Sequence, residues 1–121
     1  MKHYLLAVHS GGDAEHGDAP PEAMDAFMQR VNALEDAMRD QGVLVFGGGL
    51  EPAAMATVVR SRDGGAVVTD GPFVEAKEHI AGLYLIAAAD SDAAHEWARR
   101  TSEAILQPIE VRLFQAVSPT Q

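Results

Sequence analysis

Residues 67–88 read VVTDGPFVEAKEHIAGLYLIAA, two apolar runs with a tight turn and a charged cluster between them. Asp70, Glu75, Lys77, Glu78 and His79 crowd beside a turn that Gly71 and Pro72 enforce, glycine through its backbone freedom and proline through its fixed φ. The second run, Ile80 to Ala89, is apolar at both parities of a period-two pattern, as a central strand covered on both faces should be. The first run closes a hairpin. Ala56 to Arg60 and Ala66 to Thr69 are two β-forming segments joined through Asp63-Gly64-Gly65.

Outward from that centre the chain alternates between strand and helix patterns. KHYLLAVH, residues 2–9, predicts a first strand, and SGGDAEHGDAPP after it predicts a loop. From Pro21 to Gln41 the apolar residues Met24, Phe27, Met28, Val31, Leu34 and Met38 recur at three- and four-residue steps, one stripe of an amphipathic helix. Pro21 suits its first turn and Gly42 its left-handed stop. VLVFGGGLEP begins as a strand and dissolves into glycines. DSDAAHEWARRTSEAI predicts a second helix, with Ser91 or Asp92 accepting its first free N–H groups and Ala94, Trp97 and Ala98 on its inner stripe. Pro108 stops any continuation, and in IEVRLFQAV the residues Ile109, Val111 and Leu113 alternate with Glu110 and Arg112 in a last strand with one wet face.

The expected order is β-α-β-(β-β)-β-α-β. With all strands in one antiparallel sheet and both helices on one face, this is an α+β fold of the ferredoxin-like kind, a single domain over residues 1–121. The other face then needs a cover. A second copy packing sheet against sheet supplies one most simply, so a homodimer is expected.

Eighteen acidic against nine basic side chains leave a net charge of −9, which repels phosphate backbones and anionic membrane surfaces. Direct nucleic-acid and membrane binding are therefore not expected. Without cysteine there are no structural disulfides, thiolate zinc sites or cysteine nucleophiles. The N-terminal apolar run is too short for a signal peptide, and the reading is of a soluble, cytoplasmic protein.

DGPFVEAKEHIAGLYLI, residues 70–86, resembles the signature of the DGPF family, a branch of the YCII-related proteins. MKHYLLAVH resembles the family's opening strand, and GVLVFGGGLEPAAMATVVRSRDGGAVVTDGPF its central block. GLYLIAAADSDAAHEWARR and IEVRLF resemble its closing elements, so the resemblance spans nearly the whole chain. It implies a dimeric α+β barrel. It implies little about activity: the family's role is largely undefined, and some members are associated with extracytoplasmic-function sigma factors. The motif carries over as Asp70, Gly71, Pro72, Phe73, Glu75, Lys77, Glu78 and Gly82. In the wider YCII-related group a histidine on the first helix has been proposed to pair with an aspartate as a catalytic dyad. The helix from Pro21 to Gln41 contains no histidine, so that dyad does not transfer. The proline-containing segment before the hairpin also departs from the group, carrying only Pro52.

Two readings of the charged cluster stand side by side. In an extended chain Glu75, Lys77 and His79 share one face while Glu78, Ile80 and Gly82 share the other. Asp70, Gly71, Pro72, Phe73, Glu75, Lys77, Glu78 and His9 would then line a ligand-binding cleft, with Lys77 or His79 as acid or base oriented by Asp70 or Glu75. Alternatively the cluster is an ion-paired connection that shapes the hairpin and the dimer. His3, His9, His16, His79 and His95 show no metal-ligand spacing, and neither metal nor cofactor is expected. FGGGLEP lacks a phosphate loop's Lys-Ser/Thr ending, and no serine sits in a G-x-S-x-G setting. Arg60 and Arg62 on the hairpin could grip a carboxylate bidentately, but exposed strand arginines usually decorate an edge, and Met24, Met28 and Met38 belong to the core. The functional expectation is a dimeric small-ligand-binding or regulatory accessory protein, sigma-factor-linked as the resemblance implies, with a protein partner open. Its alternatives are a cofactor-free acid–base enzyme at the DGPF segment and a purely structural motif.

Overall fold

The computed structural model describes residues 1–11, 20–71 and 78–116. Strand β1 (Lys2–Gly11) is followed by helix α1 (Pro21–Asp40), β2 (Leu44–Gly49), a 3₁₀ turn (Ala53–Met55), β3 (Thr57–Arg62), β4 (Gly65–Asp70), β5 (Glu78–Ala88), α2 (Ser91–Ile105) and β6 (Ile109–Leu113). Four strands form one antiparallel sheet in the order β2-β5-β1-β6. With the hairpin set aside, this is the ferredoxin-like β-α-β-β-α-β arrangement.

The hairpin corrects one expectation. Among the described residues β3 and β4 pair only with each other, as a separate two-stranded sheet, so these strands do not all join one sheet. Its turn is Asp63-Gly64, both at positive φ (51° and 81°), while Gly65 already pairs with Arg62. Two consecutive positive-φ residues match the right-handed twist of the flanking strands.

Both helices lie on one face of the sheet. Tyr4 and Leu6 of β1 and Tyr84, Ile86 and Ala88 of β5 form the core with Leu34 and Met38 of α1 and Ala94, Trp97, Ala98 and Ala104 of α2. The inner stripe expected for α2 is buried as read. In α1 the buried residues, Leu34 and Met38, lie in its C-terminal half, and Met28 is 45 % exposed, a departure from its assignment to the core.

The ends of α2 also differ in detail. Its N-cap is Asp90, whose Oδ1 accepts from the Ala93 N–H at 2.9 Å, rather than Ser91 or Asp92. Leu106, left-handed at φ 63°, ends the helix two residues before Pro108, and its N–H donates to the Ser102 carbonyl. Replacing Asp90 by alanine should lower unfolding free energy by about 1 kcal/mol, read by urea denaturation. Alanine at Asp92, in contrast, should leave the cap intact and cost a few tenths of a kcal/mol, the scale of a screened helix-dipole contact.

The glycines of β2 do not end the strand, which stays paired with β5 as far as Gly49 opposite Gly82. At Gly47 the reason is close approach: a side chain there would run into the ring of Tyr84, its cross-strand partner.

Candidate functional site

β1 and β5 run together to one end of the sheet, where a bulge changes the faces. Val8 pairs with Gly82 but His9 pairs with Ile80, leaving Ala81 as the extra residue of β5. Strict alternation, which would put Ile80 and Gly82 on one face, therefore fails. Gly82 follows Tyr84 and Ile86 toward the helices, whereas Ile80 stands beside His9 on the open face, 45 % exposed.

β6 enters beside this end. Its inner residues Ile109 and Val111 pack against the core, so Glu110 points to the open face, opposite Ala7 and diagonal to His9. The His9 backbone N–H donates to the Pro108 carbonyl at 3.1 Å, fixing the start of β6 against β1. His9 Nε2 lies 2.8 Å from Glu110 Oε1, with the imidazole side chain 25 % and the carboxylate 48 % exposed. An ionised carboxylate can only accept, so the imidazole donates through Nε2. The pair is thus an oriented imidazole, able to move a proton at Nδ1.

The other expected residues are distributed unevenly. Asp70 is the exposed last residue of β4, opposite Thr57. Gly71 follows at φ 89°, and its N–H donates to the Ala56 carbonyl at 2.7 Å, prolonging the hairpin by one bond. Pro72, Phe73, Glu75 and Lys77 fall outside the described residues. Glu78 begins β5 opposite Gly11. His79 is half-buried and pairs with Ser10. Since Ser10 alternates with His9, the pairing places His9 and His79 on opposite faces of the sheet, and the two do not converge.

Glu110 is the residue that reading the chain missed. It stands 101 positions from His9. The available signal was its place on the wet parity of the last strand, which a ferredoxin-like order sets beside β1. No group of three or more His, Asp or Glu side chains among the described residues is arranged to hold a metal ion. Two surface cavities of about 290 and 310 Å³ lie elsewhere, one between the helices and one beside Lys2, His3 and Phe114. No helix among the described residues is long and apolar enough to cross a membrane.

The family model of the YCII-related domain matches residues 1–113. The chain belongs to the YCII-related domain family. It is also 35 % identical over 83 residues to an uncharacterized protein of Rhizobium meliloti (strain 1021), a match covering 69 % of this chain and 67 % of that protein. Neither comparison brings an activity. The helix α1 of this YCII-related chain carries no histidine, and among the described residues a histidine–carboxylate contact joins β1 and β6.

Proposed function

We propose that this YCII-related protein is a homodimeric, cytoplasmic small-ligand-binding protein, one domain over residues 1–121. Two copies cover each other's open sheet faces, and the His9–Glu110 pair at the end of that face borders the ligand cleft. The observation that carries the reading is an apolar open face ending in an oriented polar pair. Across the strands Phe46, Leu85, Leu5 and Arg112 form one row, and Gly48, Leu83, Ala7 and Glu110 the next. Phe46 is 61 % exposed, and an unpaired apolar surface of this kind marks an association site. A regulatory role, as the DGPF resemblance implies, would run through a protein partner, since the net charge is −9.

The test is a thermal-shift screen of the purified protein against small aromatic and lactone metabolites, with titration calorimetry of every hit. His9→Gln and Glu110→Gln should each weaken binding by about tenfold, the scale of one hydrogen bond to a charged group, while shifting stability by under about 0.5 kcal/mol, as at exposed positions generally. Hits that bind both variants as well as wild type would remove the pair from the site.

The 2.8 Å Nε2–Oε1 contact favours one further reading, a cofactor-free enzyme in which His9 is the acid or base and Glu110 orients it. Lys77, His79, Asp70 and Glu75 are the candidates from the DGPF side. Turnover undiminished in His9→Gln and Glu110→Gln would end this assignment.

A further inference from the structure

Three of the nine basic side chains of this acidic protein gather in one place, the groove between α1 and α2. Arg30 comes from α1, Arg99 and Arg100 from α2, and Leu34 and Ala104 form the apolar floor. The arginines are not equivalent. Arg99 is occupied: its guanidinium holds Glu96 at 2.6 Å and Glu103 at 3.0 Å. Arg30 and Arg100 form no close ion pair among the described residues, although the charge of Arg100 acts on Glu96, and both are held in position. Arg30 donates through Nε to the Ala104 carbonyl at 2.8 Å, a partly buried contact that occupies a C-terminal carbonyl of α2 and leaves both Nη groups over. Arg100 lies over the Trp97 ring, its Cζ 4.3 Å from the centroid, a cation–π contact that holds the guanidinium at the groove.

Two guanidinium groups line one groove, each held by a contact of its own, and a guanidinium is the side chain best suited to grip an oxyanion bidentately. Holding the side chains beforehand removes most of the rotamer entropy that a surface arginine loses on binding. The volume, about 290 Å³, lies at the small end of ligand pockets, and Glu103 on the rim shares Arg99 with Glu96. We propose that the α1–α2 groove is an anion site in which Arg30 and Arg100 together grip a phosphate or carboxylate group of a small molecule. It is separate from the His9 end: the groove is built from the helices, whereas His9 lies on the face the helices do not cover.

Trp97 is the single tryptophan of the chain, so its fluorescence reports on the stacked Arg100 directly. The experiment titrates the full-length protein with inorganic phosphate, and separately with benzoate, against sodium chloride of matched ionic strength. A saturable change with either anion and not with chloride is expected. Phosphate alone saturating would identify a phosphate site, benzoate alone a carboxylate site. Arg30→Gln, which leaves the Arg100–Trp97 stack in place, should raise the apparent Kd about tenfold, the scale of one charge-assisted contact, with Arg30→Lys intermediate. Fluorescence that follows ionic strength identically in all three salts would overturn the proposal. So would saturation unchanged in both Arg30→Gln and Arg100→Gln, followed by calorimetry for the second.

Discussion

Gly47→Val is expected to destabilise the protein by about 3–5 kcal/mol, a large part of the roughly 5–15 kcal/mol that holds a domain of this size together. β2 is an edge strand, where a valine would ordinarily favour the extended chain. Here the space is taken. A Cβ at position 47 would sit 2.7 Å from Tyr84 Cε1 and 3.1 Å from the Leu83 carbonyl oxygen, and closer still to Tyr84 Cδ1. The ring cannot step aside, because Tyr84 is 4 % exposed and its hydroxyl donates to Glu35 Oε2 at 2.6 Å. Overpacking costs about 1–3 kcal/mol, and breaking the hydrogen bond to the carboxylate about 1.5–3 more. Urea denaturation measures the sum. The cause is separable: in a Tyr84→Ala background Gly47→Val should cost under about 1 kcal/mol, a coupling that additive costs would disprove.

The same contact has a pH signature. Burial, then the hydrogen bond to Glu35 and its negative charge, push the Tyr84 phenol well above its ordinary value of 10.0, and the nearby Arg39 opposes them only in part. The folded value is the raised one, so this contribution is complete below pH 10 and is lost as pH rises toward the folded value. Above pH 10 wild type should lose stability more steeply than Tyr84→Phe. Parallel profiles would show that the phenol is not held as its contacts imply.

Leu85→Glu is expected to turn the proposed dimer into a monomer at micromolar concentration, raising the dissociation constant at least about 100-fold, or about 2.8 kcal/mol. Leu85 sits mid-row on the open face between Phe46 and Leu5. In a monomer a carboxylate there is hydrated. Between two sheets it would be desolvated without a partner, once per copy, a penalty of several kcal/mol. Sedimentation equilibrium should give twice 12.9 kDa for wild type and 12.9 kDa for the variant. The melting temperature should rise with concentration for wild type alone. Wild type sedimenting as a monomer would refute the sheet-to-sheet dimer.

Much of the architecture is legible because it rests on local periodicity. The α1 stripe through Leu34 and Met38, the α2 stripe through Ala94, Trp97 and Ala98, and the doubly apolar β5 each follow from spacing within one segment. Short polar runs are less decisive. In Asp90-Ser91-Asp92 all three residues are good caps, and only the backbone turn, with Asp90 extended at φ −157°, selects the first.

The order of elements, the positions of both helices and the family signature around residues 70–86 were determined by the sequence by itself, since each is a pattern within a neighbourhood of a few turns. Tertiary structure alone decided the rest: that β3 and β4 stand apart from the main sheet, that Ala81 bulges, that Gly47 makes room for Tyr84, and that Glu110 meets His9. The reason is physical. Those features depend on register and contact between segments 37 to 101 residues apart, and such pairings are set when the strands dock, by the packing of side chains that no local spacing encodes.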